Sequence, residues 1–541
     1  MVDIVPHHEF RTMPYRRHPD QDAGKPPHHA VIIVGGGMVG LTLALDLHLR
    51  GHTPVILQKG QGVSIGSRSI CQAKRTLEIW DRLGVGERMR DKGVTWQVGR
   101  IFHRDSELYR FDLQPEGGHK MPAFINLQQY FVEEFLLDRL DEEGVGVRWG
   151  NAVSSVEQKG DHVIVDIDTP DGPYRVTTDW LIACDGAKSG IRRQMGLEFE
   201  GRVFGDKFLI SDVKMKADFP TERWFWFEPP FHEGQTVLLH QQADDIWRID
   251  FQLGWDADNE REAEPDRVAA RIQTMLGADV DFELDWVSVY VFQCRTLQRY
   301  VHDRIVFAGD SAHQVSPFGA RGGNGGIQDA DNLAWKLAMV LDGRAPRSLL
   351  ESYNQERVYA ARENIMNSSR ATDFMTPKTR ASRMLRDETL GLAADHAFAR
   401  PLINSGRLSV PAHLVDSPLN TADQAAFATE LAPGSPATDA PLPADGSGAG
   451  WLLERLGRGF QLLHMAENGA EPQPPETRAS EVAVMTVPAA AEGYETLCRR
   501  YDLQPGTTYL FRPDQHIAGR WRGYDPAAIA AAVERASATA G

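Results

Sequence analysis

A glycine-rich turn near the start of the chain is the feature that most constrains its fold. Residues 30–34 are apolar, residues 35–40 are GGGMVG, and residues 41–50 have the spacing of an amphipathic helix. A strand, a G-x-G-x-x-G turn and a helix in this order bring backbone N–H groups close to a pyrophosphate at the helix N-terminus. The sequence therefore predicts a Rossmann-like α/β domain that binds a dinucleotide through Gly35, Gly37 and Gly40.

The second predicted strand ends at Gln58, where a Rossmann fold usually places an acidic residue that binds the adenosine ribose. Gln58 can still offer its amide oxygen, so we predict a weaker ribose contact at this position. The chain contains one G-x-G-x-x-G and not two. We therefore expect no separate domain for a nicotinamide nucleotide, which would bind only transiently.

A second glycine-rich segment far along the chain has the same order of elements. Residues 305–308 are apolar and predict a buried parallel strand, and Asp310 follows at its carboxyl end. Five glycines lie between residues 319 and 326, and a helical stripe begins at Gln328. One Asp after a strand is most often a helix cap, but two such segments in one chain predict a large anionic cofactor. The candidate contacts are Asp310, Pro317, Gly322, Gly323 and Asn324.

The charge balance of the chain disfavours several classes of partner. It has 58 Lys and Arg against 75 Asp and Glu, a net charge of −17, which argues against nucleic acid and anionic membranes. No apolar run approaches the ~18 residues of a membrane span. The four cysteines are far apart, without C-x-x-C or zinc spacing. We expect reduced thiols, no metal site and a cytoplasmic protein.

Three ordered motifs resemble those of the single-component flavoprotein aromatic hydroxylases, of the p-hydroxybenzoate and phenol hydroxylase kind. They are GGGMVG at 35–40, CDGAKSGIRR at 184–193 and GDSAHQVSPFGARGGNGG at 309–326. The resemblance covers about residues 30–370 and is more specific for the fold and for FAD than for the substrate. It implies non-covalent FAD, NADH or NADPH as co-substrate, O2, and a small aromatic substrate.

The resemblance also implies a division of the chain into four parts. We expect an arm at 1–28, a Rossmann-like FAD-binding domain at 29–203 and 295–400, a mixed-sheet substrate domain at 204–294, and a linker with a thioredoxin-like domain at 401–541. The C-terminal domain lacks C-x-x-C, so it cannot run dithiol chemistry. Its expected role is packing or oligomerisation, with a homodimer as one arrangement.

Further cofactor contacts follow from the resemblance. An Arg matching Arg68 contacts the phosphates or the adenosine in the family, although Arg68 could be a solvated surface residue. Residues 126–140 predict an amphipathic helix, and the Q-x-x-hydrophobic-E pattern at 129–133 within it makes Gln129 the candidate, with Gln128 as the second choice. Asp185 belongs to an Asp-Gly pair associated with FAD and the pyridine nucleotide. The alternative role of Asp185 is a helix cap.

The substrate site is expected on a β-sheet. In residues 246–253, Trp, Ile, Phe and Leu alternate with Arg248, Asp250 and Gln252, so one sheet face is apolar and the other polar. The resemblance places such polar groups toward the substrate, and a solvated polar face is the alternative. The candidate substrate contacts are Cys71, Gln242, Arg248 and Pro317, and the candidate catalytic residues are His240 and Asp250.

The chemistry implied by the resemblance is hydroxylation of an electron-rich ring through a C4a-hydroperoxyflavin. A base that removes a phenolic proton makes the ring more nucleophilic. Ile70 stands where phenol hydroxylases have a catalytic Asp, and Gln242 stands where the p-hydroxybenzoate type has a carboxylate-binding Arg. We expect His240 to be the base because its unperturbed pKa of ~6.5 is near working pH.

Other functions remain open on the same fold. Residues 224–229 partly match the Trp-x-Trp-x-x-Pro of flavin-dependent halogenases, but Arg223 and Glu228 replace two residues of that motif. An FAD oxidase or dehydrogenase and a non-enzymatic flavin-binding protein are further alternatives. Chloride-dependent product, oxygen-18 incorporation and substrate-stimulated NAD(P)H consumption separate these classes.

Overall fold

The computed structural model describes residues 2–66, 68–217, 219–403, 408–444, 450–467 and 472–539. The strands are β1 (His28–Val34), β2 (Val55–Gln58), β3 (Cys71–Ala73), β4 (Val94–Trp96), β5 (Val98–His103), β6 (Ser106–Asp112), β7 (Phe124–Asn126), β8 (Val147–Trp149), β9 (Ala152–Gln158), β10 (Val163–Asp168), β11 (Tyr174–Ala183), β12 (Glu200–Lys214), β13 (Arg223–Phe227), β14 (Thr236–Gln241), β15 (Ile246–Leu253), β16 (Glu283–Thr296), β17 (Val301–His302), β18 (Ile305–Phe307), β19 (His313–Gln314), β20 (Phe460–Met465), β21 (Val482–Val487), β22 (Thr508–Phe511) and β23 (Ile517–Trp521).

The α-helices lie between these strands and on both sides of them. They are α1 (Met38–Leu49), α2 (Lys74–Arg82), α3 (Gly86–Lys92), α4 (Gln129–Glu142), α5 (Gly190–Gln194), α6 (Asn259–Glu262), α7 (Pro265–Leu276), α8 (Gly322–Leu341), α9 (Leu349–Met375), α10 (Arg380–Asp395), α11 (Arg400–Ile403), α12 (Leu452–Leu456), α13 (Glu495–Tyr501) and α14 (Pro526–Ala536). None of the helices in the described ranges is long and apolar enough to cross a membrane.

The first sheet is mostly parallel and has the order β17-β18-β11-β1-β2-β8, with β10 paired to β11 and β9 paired to β10. Its strands end in register, because Val34 pairs with both Leu57 and Ala183, and Ala183 pairs with Phe307. Their apolar side chains form a buried core with α1, α4 and α8. The carboxyl ends of four strands therefore meet at one edge, where open α/β sheets bind ligands. The predicted α/β fold class is confirmed.

The second sheet contains eight strands in the order β19-β16-β12-β15-β14-β13-β5-β6. One face is apolar and packs Trp247, Ile249 and Phe251 against α7. The other face carries the alternate residues of β15 and is also buried, with Arg248 only 3% exposed. The alternation predicted for residues 246–253 is confirmed, and the alternative of a solvated polar face is wrong.

The division into domains stays a prediction, although the sheets bear on it. β12 and β16 extend on both sides of the expected boundaries at 203/204 and 294/295. Two strands from an earlier part of the chain, β5 and β6, also belong to the second sheet. A hairpin separated by about a hundred residues from β13 gives no local signal of this pairing, because strand partners are chosen by the fold and not by nearby sequence.

The C-terminal region forms its own four-stranded sheet in the order β21-β20-β22-β23. β20 and β21 are parallel, and β22 and β23 form an antiparallel hairpin that precedes α14. The thioredoxin-like character of this region stays a prediction. A fully buried network holds the sheet to the rest of the protein, since Arg512 donates to Glu356 of α9 at 2.6 Å and to Asp514 at 2.6 Å.

The N-terminal arm is ordered and crosses two parts of the molecule. Val5 donates its backbone N–H to the Leu284 carbonyl of β16 at 2.8 Å. The His8 ring stacks on Tyr130 of α4 with 4.1 Å between centroids, and Arg11 pairs with Asp141 at 3.1 Å. Composition left open whether this arm is ordered or disordered. Its ion pairs with α4 explain the ordered outcome.

Two helices begin at different residues from those that the sequence predicts. α8 begins at Gly322, six residues before the stripe at Gln328, because its glycines allow the first turn to pack closely on α1. α4 begins at Gln129, because Asn126 belongs to β7, where it pairs with Cys71 of β3. Both differences place the glycines and glutamines of the predicted site in the first turns of helices.

Candidate functional site

The first cradle, residues 35–40, lies at the carboxyl end of β1 and enters α1. Gly35 has φ +114°, and a Cβ atom there would lie 2.2 Å from the Cys184 carbonyl oxygen. A Cβ at Gly40 would lie 2.0 Å from the Gly35 carbonyl oxygen, so only glycine fits either position. Gly37 precedes the helix and provides no side-chain cap. The Met38 N–H at the start of α1 donates a hydrogen bond to Glu133, and the following N–H groups have no side-chain cap and can face an anion.

Polar side chains surround the first cradle. The Gln58 side-chain oxygen accepts a hydrogen bond from the Gly36 N–H at 3.3 Å. Gln129 donates to Glu133 at 2.9 Å, and Glu133 also accepts from the Ser64 N–H at 2.7 Å. Gln128, the second choice from the sequence, points elsewhere and donates to the Ala243 carbonyl of the second sheet at 2.9 Å. Gln129 therefore lies at the first cradle, and Gln128 contacts the turn between β14 and β15.

The second cradle, residues 309–326, lies at the same sheet edge after β18. Although Asp310 keeps contact with solvent along the cleft, the surrounding protein desolvates its carboxyl and raises its pKa. The nearby charges of His313 and Arg68 oppose this rise in the Asp310 pKa. Arg68 itself is exposed. The structure thus brings Asp310 and Arg68 near each other, although 242 residues separate them.

The two cradles are in direct contact through their helices. A Cβ at Gly323 would lie 2.4 Å from the Met38 side chain, and a Cβ at Gly326 would lie 2.7 Å from Val39. The residue that precedes α8, Arg321, provides no side-chain cap. Two uncapped helix N-termini, those of α1 and α8, therefore open close together. This pair of termini can bind two separate electron-rich groups of one large ligand.

Asn324 and Asp329 fix the second cradle from behind. The Asn324 oxygen accepts from the Ala73 N–H at 2.9 Å, and its amide donates to the Cys71 carbonyl at 2.9 Å. Asp329 accepts from the Gly309 N–H at 3.0 Å and from His313 at 2.6 Å. Burial alone would raise the pKa of Asp329, but His313 and Arg357 hold it below its ordinary value. The Asn324 side chain is thus occupied by protein groups, which leaves its backbone N–H for a ligand.

Asp185 performs the capping role that the sequence left open. One carboxylate oxygen accepts from the Gly190 N–H at 2.7 Å and from the Ile191 N–H at 3.2 Å at the start of α5. The other oxygen is buried without a hydrogen-bond partner. Arg192 donates to the Ser311 carbonyl at 3.0 Å and therefore links two loops of the sheet edge. Only the second oxygen of Asp185 is available to a ligand.

A polar row crosses the face of the second sheet that meets the second cradle, and it comprises Arg223, His240, Arg248, Asp212 and Asp250. Register places His240 opposite Arg248, and Arg248 opposite Asp212. Arg248 donates to both carboxylate oxygens of Asp212 at 2.7 Å, and Gln242 donates to one of them at 2.9 Å. Arg223 and Asp212 stand in no sequence motif, so only the strand register shows that they belong to this row.

Asp250 and His240 have polar atoms that no protein group satisfies. Both ring nitrogens of His240 and one carboxylate oxygen of Asp250 are buried without a hydrogen-bond partner. Burial raises the pKa of Asp250 to about 6, although Arg248 opposes this change. Burial, with the charges of Arg223 and Arg248, lowers the pKa of His240 well below its ordinary value. The pKa argument that favoured His240 as the base therefore does not hold.

Cys71 and the loop at Pro317 lie beside this face. The Cys71 thiol donates to Asn126 at 3.3 Å, and burial raises its pKa, so it is a neutral wall group. A narrow cavity of about 60 Å³ lies between the sheet and the second cradle, and its lining includes Arg223, Phe225, Phe318, Gly319 and Arg321. An engineered cavity that holds benzene has about 150 Å³. An aromatic ring would therefore enter only with movement of these walls.

A family model described as an FAD binding domain matches residues 28–368 of the chain. The chain belongs to the FAD-dependent monooxygenases. The relative 6-methylpretetramide 4-monooxygenase of Streptomyces rimosus is 31% identical over 536 residues, which cover 91% of this chain and 90% of the relative. A probable NADH-specific resorcinol 4-hydroxylase of Rhodococcus jostii (strain RHA1) is 32% identical over 339 residues, which cover 60% and 62%.

Solved structures agree with the fold of this FAD-dependent monooxygenase. The flavin-dependent monooxygenase PieE, in complex with FAD and substrate, matches with a TM-score of 0.80 at 21% identity, over 95% of this chain and 99% of that one. Aklavinone-11 hydroxylase, in a ternary complex with FAD and aklavinone, matches with a TM-score of 0.76 at 20% identity, over 95% and 100%. The resemblance inferred from the three motifs is confirmed.

The residues of this chain fit FAD. Glycines without room for a Cβ border the first cradle, and two helix N-termini without an N-cap side chain pack against each other through Gly323 and Met38. Asp185 offers a buried carboxylate oxygen that has no partner, and Asp310 lies at the cleft between the cradles. No group of three or more potential metal ligands occurs in the described part of the chain. The glycines and carboxylates of the two cradles suit an organic cofactor.

Proposed function

We propose that this FAD-dependent monooxygenase hydroxylates a phenolic or related electron-rich aromatic compound, with NADH or NADPH and O2 as co-substrates. The observation that carries the proposal is the buried pair His240 and Asp250, whose unpartnered polar atoms lie on the face of the second sheet that meets the second cradle. When bound and reduced, FAD supplies the chemistry that activates O2. Two relatives named for aromatic substrates, a resorcinol and a pretetramide, support this substrate class.

We propose Asp250 as the general base and His240 as a hydrogen-bond partner of the substrate. A carboxyl with a pKa of about 6 is ionised at neutral pH and still basic enough to accept a phenolic proton partially in the transition state. His240 stays neutral because its pKa is low, so one ring nitrogen donates and the other accepts. A phenolic hydroxyl that donates to Asp250 and accepts from His240 would satisfy two of the three unpartnered buried atoms of this pair.

The remaining substrate residues act around this pair. Arg248 and Gln242 hold Asp212, so we propose that they position the polar row and set its charge. Arg223 has a buried guanidinium nitrogen without a partner and faces the narrow cavity, which suits a substrate oxygen. Cys71 and Pro317 form apolar walls. Removing one partner of such a buried pair leaves the other unsatisfied, which costs more than the bond itself contributes.

The cofactor contacts are proposed from the two cradles. Gly35, Gly37 and Gly40 receive the pyrophosphate at α1, Gln58 approaches the ribose, and Arg68 adds positive charge. Asp310 would hold the ribityl hydroxyls, and the N–H groups of Gly322, Gly323 and Asn324 would face the pyrimidine side of the ring. Gln129 and Asp185 complete the set. Backbone N–H groups stabilise negative charge on the reduced ring because they are already oriented.

A panel of phenols tests the proposed function. Each phenol is scored for stimulation of NADH and NADPH oxidation and for incorporation of oxygen-18 from O2 into a hydroxylated product. Stimulated oxidation with labelled product supports a hydroxylase, whereas oxidation without label indicates an oxidase. The halogenase alternative has little support, because Trp224 and Trp226 pack on the apolar face of the second sheet, away from His240. Chloride should therefore change no product.

Two further proposals concern the cellular location and the oligomeric state of the protein. Residues Cys71, Cys184, Cys294 and Cys498 are all free thiols, which supports a cytoplasmic protein. The C-terminal sheet has no dithiol, so we propose that it packs against the FAD-binding part and takes part in a homodimer. Light scattering of the purified protein at several concentrations would decide between a monomer and a dimer.

A further inference from the structure

A second cleft, far from the flavin cradles, lies between the FAD-binding part and the C-terminal sheet. Its volume is about 340 Å³, which is within the range of small-molecule sites. It opens at the C-terminal ends of α1 and α2, about 18 Å along α1 from the first cradle at ~1.5 Å per residue. We call it the arginine cleft, after three of its lining residues, Arg82, Arg139 and Arg458.

One wall of the arginine cleft contains guanidinium groups with unsatisfied donors. The Arg82 side chain is 4% exposed. One of its guanidinium nitrogens donates a hydrogen bond to Asp331, and the other two are buried without a hydrogen-bond partner. Arg50, immediately behind this wall, has one nitrogen in the same condition. A guanidinium cannot lose its proton, and native proteins rarely leave such donors unpaired. Asp46, behind the same wall, has one buried carboxylate oxygen that is also without a partner, so three unpaired donor nitrogens stand against one unpaired acceptor oxygen. The surplus of donors indicates a further acceptor.

Arg458 completes the basic wall. Its guanidinium forms no ion pair with a carboxylate in the described ranges, and Arg50 instead donates to the Arg458 backbone carbonyl at 2.9 Å. Burial and the charges of Arg50, Arg82 and Arg139 lower the pKa of Arg458, while Asp46 opposes them. Cations that repel one another around an open cleft favour a bound oxyanion. Charge-assisted N–H bonds to oxyanions are stronger than hydrogen bonds between neutral groups.

The opposite wall is acidic and limits what the ligand can be. Glu78 is 8% exposed, and burial raises its pKa despite the neighbouring Arg75. Burial also raises the pKa of Asp81, although Lys120 lies 2.9 Å from it. Glu454 accepts from the same Lys120 at 2.6 Å, and Glu87 lies 3.3 Å from it, so one cation serves three carboxylates. This wall repels a polyanion and offers acceptors for hydroxyl groups.

We propose that the arginine cleft binds a phosphorylated sugar, either free or as part of a nucleoside phosphate. The phosphate lies on Arg82 and Arg458, and the sugar hydroxyls donate to Glu78 and Asp81. Trp451 also lines the cleft and gives a flat surface on which a base can stack. The site is separate from hydroxylation, so it holds whether or not the proposed function is correct.

Calorimetric titration of the full-length, FAD-saturated protein at constant ionic strength tests this proposal. The probes are ribose 5-phosphate, AMP and inorganic phosphate, and unchanged flavin absorbance excludes displacement of FAD. We expect saturable one-to-one binding of ribose 5-phosphate, about tenfold tighter than inorganic phosphate because the hydroxyl contacts add to the charge-assisted bonds. AMP binding tighter than ribose 5-phosphate indicates a nucleoside phosphate, and weaker binding indicates a sugar phosphate.

Variants of the basic wall locate the binding. Arg458→Ala should weaken ribose 5-phosphate by about tenfold or more, since a charge-assisted bond is lost. Arg455→Ala, an exposed change of equal charge on α12, is the matched control and should leave affinity unchanged. Arg82→Gln is a second variant, used only if it retains the flavin spectrum. Absence of saturable binding, equal affinity of wild type and Arg458→Ala, or equal affinity for inorganic phosphate would overturn the proposal.

Discussion

The flavin cradles and the polar row are built from different parts of the chain. The cradles offer backbone N–H groups at two helix N-termini, and their glycines remove side chains from the ligand's path. The polar row offers side chains from β12, β13, β14 and β15, each placed by strand register. A backbone site is fixed once the turn forms, whereas a side-chain site depends on every strand that contributes to it.

This difference predicts how each site fails. A substitution in the cradles should act on FAD binding and folding together, because a new Cβ meets backbone that cannot move independently. A substitution in the polar row should leave FAD in place and change the fate of the substrate. The following variants test this separation, beginning with the largest expected effect.

Asp250→Asn should lower the rate of hydroxylation by roughly 10²–10⁴-fold, because the amide cannot accept the phenolic proton. FAD content should match that of the wild type, since Asp250 lies outside both cradles. Product formation per NAD(P)H consumed is the measurement, with hydrogen peroxide as the expected by-product. Asp256→Asn, an exposed change of equal charge, is the control. Wild-type product yield in Asp250→Asn would remove Asp250 as the base.

Gly35→Ala should reduce both stability and FAD affinity. The new Cβ would lie 2.2 Å from the Cys184 carbonyl oxygen, an overlap that costs about 1–3 kcal/mol. Gly172→Ala is the matched control, because Gly172 has a similar φ of +107° with no atom within 4 Å. Both variants carry ~1–2 kcal/mol of backbone strain. Equal melting temperatures and FAD content in the two variants would contradict a close contact at Gly35.

The cradles were largely predictable from the sequence. Gly35, Gly37 and Gly40 occupy a turn whose backbone can take few other forms, and Asp310 follows a strand whose apolar run is short and clear. The joining of the two cradles was not predictable by local pattern, because the contact of Gly323 with Met38 depends on the packing of α8 on α1. The start of α8 was displaced for the same reason.

Asp310→Ala should weaken FAD by about 1–3 kcal/mol, because a ribityl hydroxyl would lose its acceptor. Fluorescence of released FAD during dilution measures the affinity. Melting temperature at saturating FAD should change little, since Asp310 lies at the open cleft. An unchanged dissociation constant would remove Asp310 from the cofactor site and leave the glycine turns as the main contacts.

The pH dependence should follow the carboxyl of the polar row. Asp250 must be ionised to act as a base, and its pKa is about 6. The value of kcat/KM should therefore fall about tenfold per pH unit below 6 and level off above it. Asp250→Asn should remove this acidic limb from its residual activity. A limb that persists in the variant would belong to another group.

The polar row was only partly predictable. The alternation of residues 246–253 identified the face that carries Arg248 and Asp250, and the alternation itself is confirmed. Arg223 and Asp212 were missed because neither stands in a motif, and their place follows from pairing with β14 and β15. His240 was preferred on its unperturbed pKa, which burial beside two arginines changes. Such a shift depends on tertiary packing and has no local sequence signal.

His240→Ala should have the smallest effect of these variants. Its pKa lies well below the ordinary value, so the neutral ring contributes one or two hydrogen bonds to the substrate and accepts no proton. Losing one such bond costs ~1 kcal/mol, which is about a fivefold rise in KM with little change in kcat. Product yield per NAD(P)H consumed and the acidic limb near pH 6 should both persist.

A loss of 10²-fold or more in kcat, with the pH limb abolished, would instead return the role of base to His240. Comparing this variant with Asp250→Asn therefore separates the two candidates, because only the true base carries both the large rate effect and the pH limb.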